Sequence, residues 1–212
     1  ILNDGSHIKL SKIGDIKLRY SRETEGKIKT CIVVRDIDQW FVVLACEQEE
    51  ANIINNKPDI GIDVGIEKLA TLSDGSIIDN PRHLVSSQRK LAKQQRWLSR
   101  KNKGSKNRAR QRIRVAKIHR KIRRQRDDFL HKTSHYLANN YSKIVFEQLN
   151  IKGMLKNHCL AKAISDVSWY KLIQLTAYKV GKTGGPVEFV DPKNTSQNCS
   201  GCGKKVKKTL AD

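Results

Sequence analysis

Residues 59–81 read DIGIDVGIEKLATLSDGSIIDNP, and this stretch decides the fold. Three short apolar runs, 60–64, 68–72 and 76–79, predict strands, with Ser73-Asp74-Gly75 as a tight hairpin turn between the last two. Asp63 lies inside the first run, between glycines 61 and 65. A carboxylate in an apolar strand costs desolvation energy unless it is paired or binds a metal. Glu147 repeats the pattern: it follows Ile144-Val145-Phe146 within KIVFEQLN (143–150), a strand predicted to end at Glu147. Carboxylates at the ends of adjacent strands can converge on divalent cations, and Mg²⁺ prefers such hard oxygen ligands. Two metals about 3.5–4 Å apart activate a water and stabilise the leaving oxygen in phosphodiester cleavage. Either acid taken alone reads more simply as a turn cap or an ion-pair partner. The GIDVG context, the second strand-end acid and the cations between them turn the reading toward metal. Asp59 precedes its strand and reads as solvated or capping, Asp74 and Asp79 as turn acids, and Asp191 as a turn former before Pro192.

Between the two acids the composition changes. Residues 82–132 hold 20 Lys/Arg against two acids, Asp127 and Asp128. Leu84, Leu91 and Leu98, then Val115, Ile118, Ile122 and Phe129, recur at helical spacing, and KNKGSKN (101–107) separates the two sets. The pattern predicts a basic helical hairpin with a thin apolar seam. A generic solvated helix would balance its charges better than this. The candidate nucleic-acid contacts are Arg89, Lys93, Arg96, Arg100, Lys101, Lys103, Lys106, Arg108, Arg110, Arg112, Arg114, Lys117, Arg120, Lys121 and Arg124. Trp97 reads as a wedge against nucleic acid or as helix packing; His119, His131 and His135 read as solvated helix positions.

The whole chain of 212 residues carries 42 Lys+Arg against 21 Asp+Glu, a formal net charge of +21. Self-repulsion of that size is relieved by a polyanionic partner. Nucleic acid comes first and an anionic membrane surface second. No run of about 18 apolar residues is present, and no helix shows a Trp/Phe-rich greasy face. The 38% hydrophobic content suffices for a core.

Upstream, residues 16–22, 27–36 and 39–47 alternate as strands and predict a small antiparallel sheet or a piece of a barrel within 1–51. Residues 52–58 read as a connector. Downstream, residues 166–181 predict a helix with Val167, Tyr170 or Leu172, Ile173, Ala177 and Val180 on one face, and Trp169 in the core. A strand at 186–191 follows. The order predicts an α/β domain over 59–191 with a basic helical insertion at 82–132. Within 192–212, Cys199-Ser-Gly-Cys202-Gly is half of a zinc ribbon. Tetrahedral zinc needs four ligands, and two thiolates alone hold Zn²⁺ weakly. A thioredoxin-type redox pair fits poorly in a Gly/Lys-rich loop. Cys31, Cys46 and Cys159 read as packing or surface thiols, and the absence of a disulfide framework suggests a reducing cytosol.

GIDVGIEKLATLSDG, the basic segment 89–134, KIVFEQLNIKGMLKNHCLAKAISDVSW and VDPKNTSQNCSGCG occur in that order. Together they resemble the insertion-sequence OrfB/TnpB proteins, transposon-encoded relatives of the type V CRISPR effector nucleases. The resemblance runs from about residue 8 to the end. It implies an RNase H-like (RuvC) nuclease with Asp63 and Glu147 as its first two metal-binding acids and Mg²⁺ or Mn²⁺ as cofactor. It further implies that 82–132 lies against guide RNA and its DNA heteroduplex, that 1–51 is part of a wedge β-barrel, and that Zn²⁺ occupies the intact ribbon. The implied activity is that of a transposase-like, RNA-guided DNA endonuclease in a prokaryotic cytosol, in which guide pairing reads sequence and protein reads shape. The family pattern continues beyond both ends of these 212 residues, with a further recognition lobe before them and a second CxxC and third catalytic acid after them. The expectation is therefore a truncated chain that binds nucleic acid and cleaves little or not at all. The alternatives are a non-cleaving RNA/DNA-binding remnant and a basic RNA-binding protein unrelated to mobile elements. Oligomeric state is left open.

Overall fold

The computed structural model describes residues 7–19, 23–48 and 56–191. They fall into two compact units, one within 1–50 and one within 51–212. The knuckle Cys199-Cys202 lies outside the described residues.

The first unit contains two separate two-stranded antiparallel sheets: β1 (His7–Leu10) with β2 (Gly14–Lys17), and β3 (Lys27–Asp36) with β4 (Gln39–Glu47). The long hairpin follows from its β-branched and aromatic residues and has the predicted bounds. The strand expected at 16–22 instead ends at Lys17, and β1 was not anticipated. Among the described residues the small antiparallel sheet, one of the two expectations for this segment, takes the form of two hairpins. Ile32, Val33, Val34, Trp40, Phe41 and Val43 are all exposed on the hairpin.

The second unit is built on one five-stranded mixed sheet. β5 (Ile60–Val64), β6 (Lys68–Leu72) and β7 (Ile77–Asp79) form an antiparallel meander. The β6–β7 turn needs Gly75, whose φ is +86°. α1 (His83–Ser99) and α2 (Lys106–Asn140) then form the basic hairpin, and β8 (Ile144–Glu147) returns beside β5 in parallel. After α3 (Ile151–Met154), α4 (Ala161–Val167) and α5 (Trp169–Lys182), β9 (Val187–Val190) adds parallel to β8. The sheet order is β7-β6-β5-β8-β9.

Alternation on the central strands assigns the two faces. Ile60, Ile62 and Val64 of β5, with Ile144 and Phe146 of β8, point into the core with Leu130, Leu137, Leu172 and Val180 of α2 and α5. Gly61, Asp63, Val145 and Glu147 take the other face. The helix predicted at 166–181 is broken at Ser168, whose left-handed φ of 57° ends α4 and starts α5. The break lets Trp169 bury at 2% exposure and donate Nε1–H to the Gly65 carbonyl at 3.1 Å. Leu172, not Tyr170, completes the buried face, and Tyr170 and Ala177 are exposed. The apolar seam of the hairpin forms as predicted, with Leu91, Val115 and Ile122 buried and Leu84, Leu98 and Ile118 against them. Phe129 leaves the seam and packs on the sheet core. The insertion boundary at 132 is not a structural boundary: α2 runs on to Asn140 and supplies the core with Leu137 and Ala138. Among the described residues no helix is long and apolar enough to cross a membrane.

Candidate active site and nucleic-acid interface

Parallel pairing aligns Ile60 with Ile144, Gly61 with Val145 and Ile62 with Phe146. The next step along the same register brings Asp63 beside Glu147, at the carboxyl ends of neighbouring strands and on one face. Asp63 is exposed and Glu147 half-buried. Burial, and secondarily the charge of Glu147, push the Asp63 carboxyl above its ordinary 3.8. Like-charge repulsion between neighbouring carboxylates is relieved by a shared divalent cation or a shared proton. The strand end is held from several sides. Gly65 N–H donates to Leu69 O at 3.1 Å, Asn80 Nδ2 donates to Ile66 O at 2.6 Å, and the Trp169 indole caps Gly65 O. A side chain at Gly65 would stand 3.0 Å from the Lys68 carbonyl, which accounts for the second glycine of GIDVG.

Two carboxylates on one face suit a hard cation that keeps waters and takes up substrate oxygens. Among the described residues no group of three or more His, Cys, Asp and Glu is placed to hold a metal. Four of the other acids have structural partners. Asp59 accepts from Ser142 Oγ at 2.7 Å. Asp74 accepts from Ser76 N at 2.9 Å, Ser76 Oγ at 2.6 Å and Tyr141 Oη at 2.6 Å, and these bonds hold its carboxyl below the ordinary value. Asp127 pairs with Lys171 Nζ at 2.6 Å, and Asp128 with Lys132 Nζ at 2.7 Å.

All the cations singled out on the hairpin are exposed except Arg108 and Arg120, which are half-buried. Arg108 has a structural role as well. Its Nη1 donates to Leu98 O at 3.0 Å and Lys101 O at 2.9 Å, so it closes the C-terminal end of α1. Ser105 caps α2 by accepting from Arg108 N at 3.1 Å. His119, His131 and His135 are exposed. Cys31 and Cys159 are exposed free thiols, and Cys46 is half-buried.

Two positions that matter to the hairpin were not legible in the pattern. Asp166, 9% exposed, accepts from Arg126 Nη2 at 2.7 Å and from Leu84 N at 3.1 Å. It thereby joins α4 to the bases of α1 and α2. Gln111, 3% exposed, donates Nε2–H to Gln94 O at 3.1 Å and Gln94 Oε1 at 2.8 Å. A buried polar residue inside a polar helix gives no periodic signal.

Comparison with known proteins is consistent across the chain. Residues 42–158 match the OrfB_IS605 family, described as "Probable transposase". Residues 169–211 match the "Cas12f1-like, TNB domain". The chain is 33% identical over 220 residues to "Putative RNA-guided DNA endonuclease InsQ" of Escherichia coli K12, covering 96% of this chain and 55% of that protein. It is 40% identical over 192 residues to a "Putative RNA-guided DNA endonuclease" of Streptomyces pristinaespiralis, covering 89% and 48%. The chain thus spans about half the length of these relatives. A solved structure, the "Cas12f1-sgRNA-target DNA complex", aligns at a TM-score of 0.46 and 17% identity over 82% of this chain and 45% of that one.

Proposed function

Because this chain belongs to the OrfB_IS605 family of transposase-like proteins, we propose that it carries the nuclease core and nucleic-acid grip of an RNA-guided, metal-dependent DNA endonuclease. One observation carries the reading: Asp63 and Glu147, distant in sequence, end neighbouring parallel strands on one face of the sheet. In this reading the second unit is an RNase H-like (RuvC) nuclease fold interrupted by the basic hairpin. Asp63 and Glu147 hold Mg²⁺ or Mn²⁺, which would supply an activated water and charge stabilisation for phosphodiester hydrolysis. The chain's own residues contribute position and charge. The core-facing partners Ile62, Val64 and Phe146 fix the carboxylates' direction, and the Trp169–Gly65 hydrogen bond fixes the strand end. The exposed cations of α1 and α2 bind guide RNA and DNA through phosphates, leaving sequence to base pairing. Zinc at Cys199 and Cys202 belongs to the same reading as half of a ribbon.

A second reading is that this chain grips RNA and DNA without efficient cleavage. Two measurements test the proposal. Affinity for an RNA–DNA heteroduplex should fall steeply with salt, because each neutralised phosphate releases counterion. Mn²⁺ binding, followed by the loss of its free paramagnetic signal, should weaken in both Asp63→Asn and Glu147→Gln. A flat salt dependence would remove the grip, and unchanged Mn²⁺ binding in both variants would remove the metal site. Guided cleavage of target DNA in Mn²⁺ separates the two readings.

A further inference from the structure

At the closed end of the hairpin is a solvent-open hollow of about 360 Å³ lined by Trp97, Arg100, Lys101, Gln111 and Arg114. Small-ligand sites span roughly 300–1,000 Å³. The floor is Gln111, buried at 3% exposure, and both of its amide bonds to Gln94 are made across the hairpin. Gln111 Oε1 also accepts from Arg114 Nη1 at 3.4 Å, which orients that guanidinium. The rim is fixed by Arg108, whose bonds to Leu98 O and Lys101 O hold the segment carrying Arg100 and Lys101. Trp97 leaves 40% of its surface open, and the exposed Lys93 ammonium stands 5.1 Å from its ring centroid. That geometry is a cation–π contact with a surface side chain rather than core packing.

Three lining cations beside an indole that is 40% exposed, with Lys93 over its ring, match one kind of ligand: a flat π-system joined to phosphates. Bases inside a duplex are already stacked and cannot reach an indole, whereas single strands offer theirs. We propose that this cavity binds an unpaired nucleotide of single-stranded RNA or DNA, its base stacked on Trp97 and its phosphates paired with Arg100, Lys101 and Arg114. The proposal rests on the nucleic-acid reading of the hairpin. It adds a property that phosphate contacts alone do not confer, namely sensitivity to whether a base is present.

The test uses the full chain carrying Trp40→Phe, so that Trp97 is the exposed indole and Trp169 stays buried. Oligoriboadenylate, oligodeoxyadenylate and an abasic oligodeoxynucleotide of equal length are titrated while indole emission and labelled-oligomer anisotropy are read. Base-bearing oligomers should quench Trp97 and bind tighter than the abasic one. Trp97→Ala should cost them roughly 5- to 150-fold in affinity, the range for loss of one base stack. The abasic oligomer should lose nothing, and Trp97→Phe, which keeps an aromatic face, should fall between. Tighter binding of the ribo- or the deoxy-oligomer identifies RNA or DNA as the source. Equal affinity for base-bearing and abasic oligomers, or an unchanged ratio in Trp97→Ala, overturns the pocket while leaving salt-dependent binding by the hairpin intact. Failure of every oligomer to bind overturns the hairpin reading and the pocket with it.

Discussion

Replacing Asp166 by alanine should loosen the basic hairpin from the domain that carries it. The carboxylate does two jobs at once: it accepts from Arg126 Nη2 at 2.7 Å and from Leu84 N at 3.1 Å. The second bond matters because α1 starts without a cap of its own. Its N-cap residue, Arg82, is left-handed at φ 47° and offers no side-chain acceptor. Loss of a helix cap costs about 1 kcal/mol. Removing one partner of a buried ion pair costs about 3–5 kcal/mol. Arg126 keeps 23% of its side chain exposed, against 9% for Asp166, so water recovers part of that cost and about 2 kcal/mol is the better figure. The sum is about 3 kcal/mol, within the roughly 5–15 kcal/mol of a stable domain, so the variant still folds. At an m-value of about 2–3 kcal/mol per molar urea, the midpoint falls by about 1–1.5 M. The assay is urea unfolding followed by Trp169 emission, with Trp40 and Trp97 changed to phenylalanine so that only the buried indole reports. The double variant Arg126→Met/Asp166→Leu removes both charges and should recover most of the ion-pair share. A loss below about 0.5 kcal/mol in Asp166→Ala would show that the carboxylate anchors nothing.

Three further outcomes are expected. Burial and Glu147 raise the Asp63 carboxyl, so the folded chain holds that proton more tightly than the unfolded chain. Stability is therefore withdrawn as pH climbs from about 3.8 through the raised value, and the penalty is complete above it. Asp63→Asn should lose less stability than the parent over that window; superimposable urea-midpoint profiles would count against a raised Asp63 carboxyl. Arg108→Ala removes two bonds to carbonyls at the end of α1 and should cost about 1–2 kcal/mol, seen as faster amide exchange confined to the hairpin's closed end. Protection unchanged there would contradict the brace. Gly185→Ala places a methyl 1.9 Å from the Ser142 carbonyl oxygen and 2.8 Å from Val180 Cγ1. Backbone cannot yield as a side chain does, so the cost should reach about 3 kcal/mol or more; a melting temperature equal to the parent's would refute the contact.

The strands and the hairpin seam were legible because each obeys a short period. Alternation gave 27–36, 39–47, 60–64 and 68–72 to the residue, and helical spacing of Leu84, Leu91 and Leu98 gave the seam. The Asp63 and Glu147 positions were readable for the same reason: a charged residue in an apolar strand stands out. Their adjacency rested on the family resemblance rather than on any local pattern, since the parallel β5–β8 pairing joins residues more than eighty apart. The break at Ser168 escaped notice because no glycine or proline marks it. It follows from a left-handed residue that lets Trp169 turn inward. The far end of α2 was missed because the charge run stops before the helix does. Leu130, Leu137 and Ala138 belong to the sheet core, and composition alone separates them from the cations upstream.

That continuity of α2 has a mechanical meaning. A helix of 35 residues is about 52 Å long. Its first half is studded with cations, and its last turns are embedded beneath the strands that end in Asp63 and Glu147. It is a lever with its short arm set in the core. The cation-bearing outer turns and the core packing beneath the two strand-end acids therefore belong to one unbroken helix.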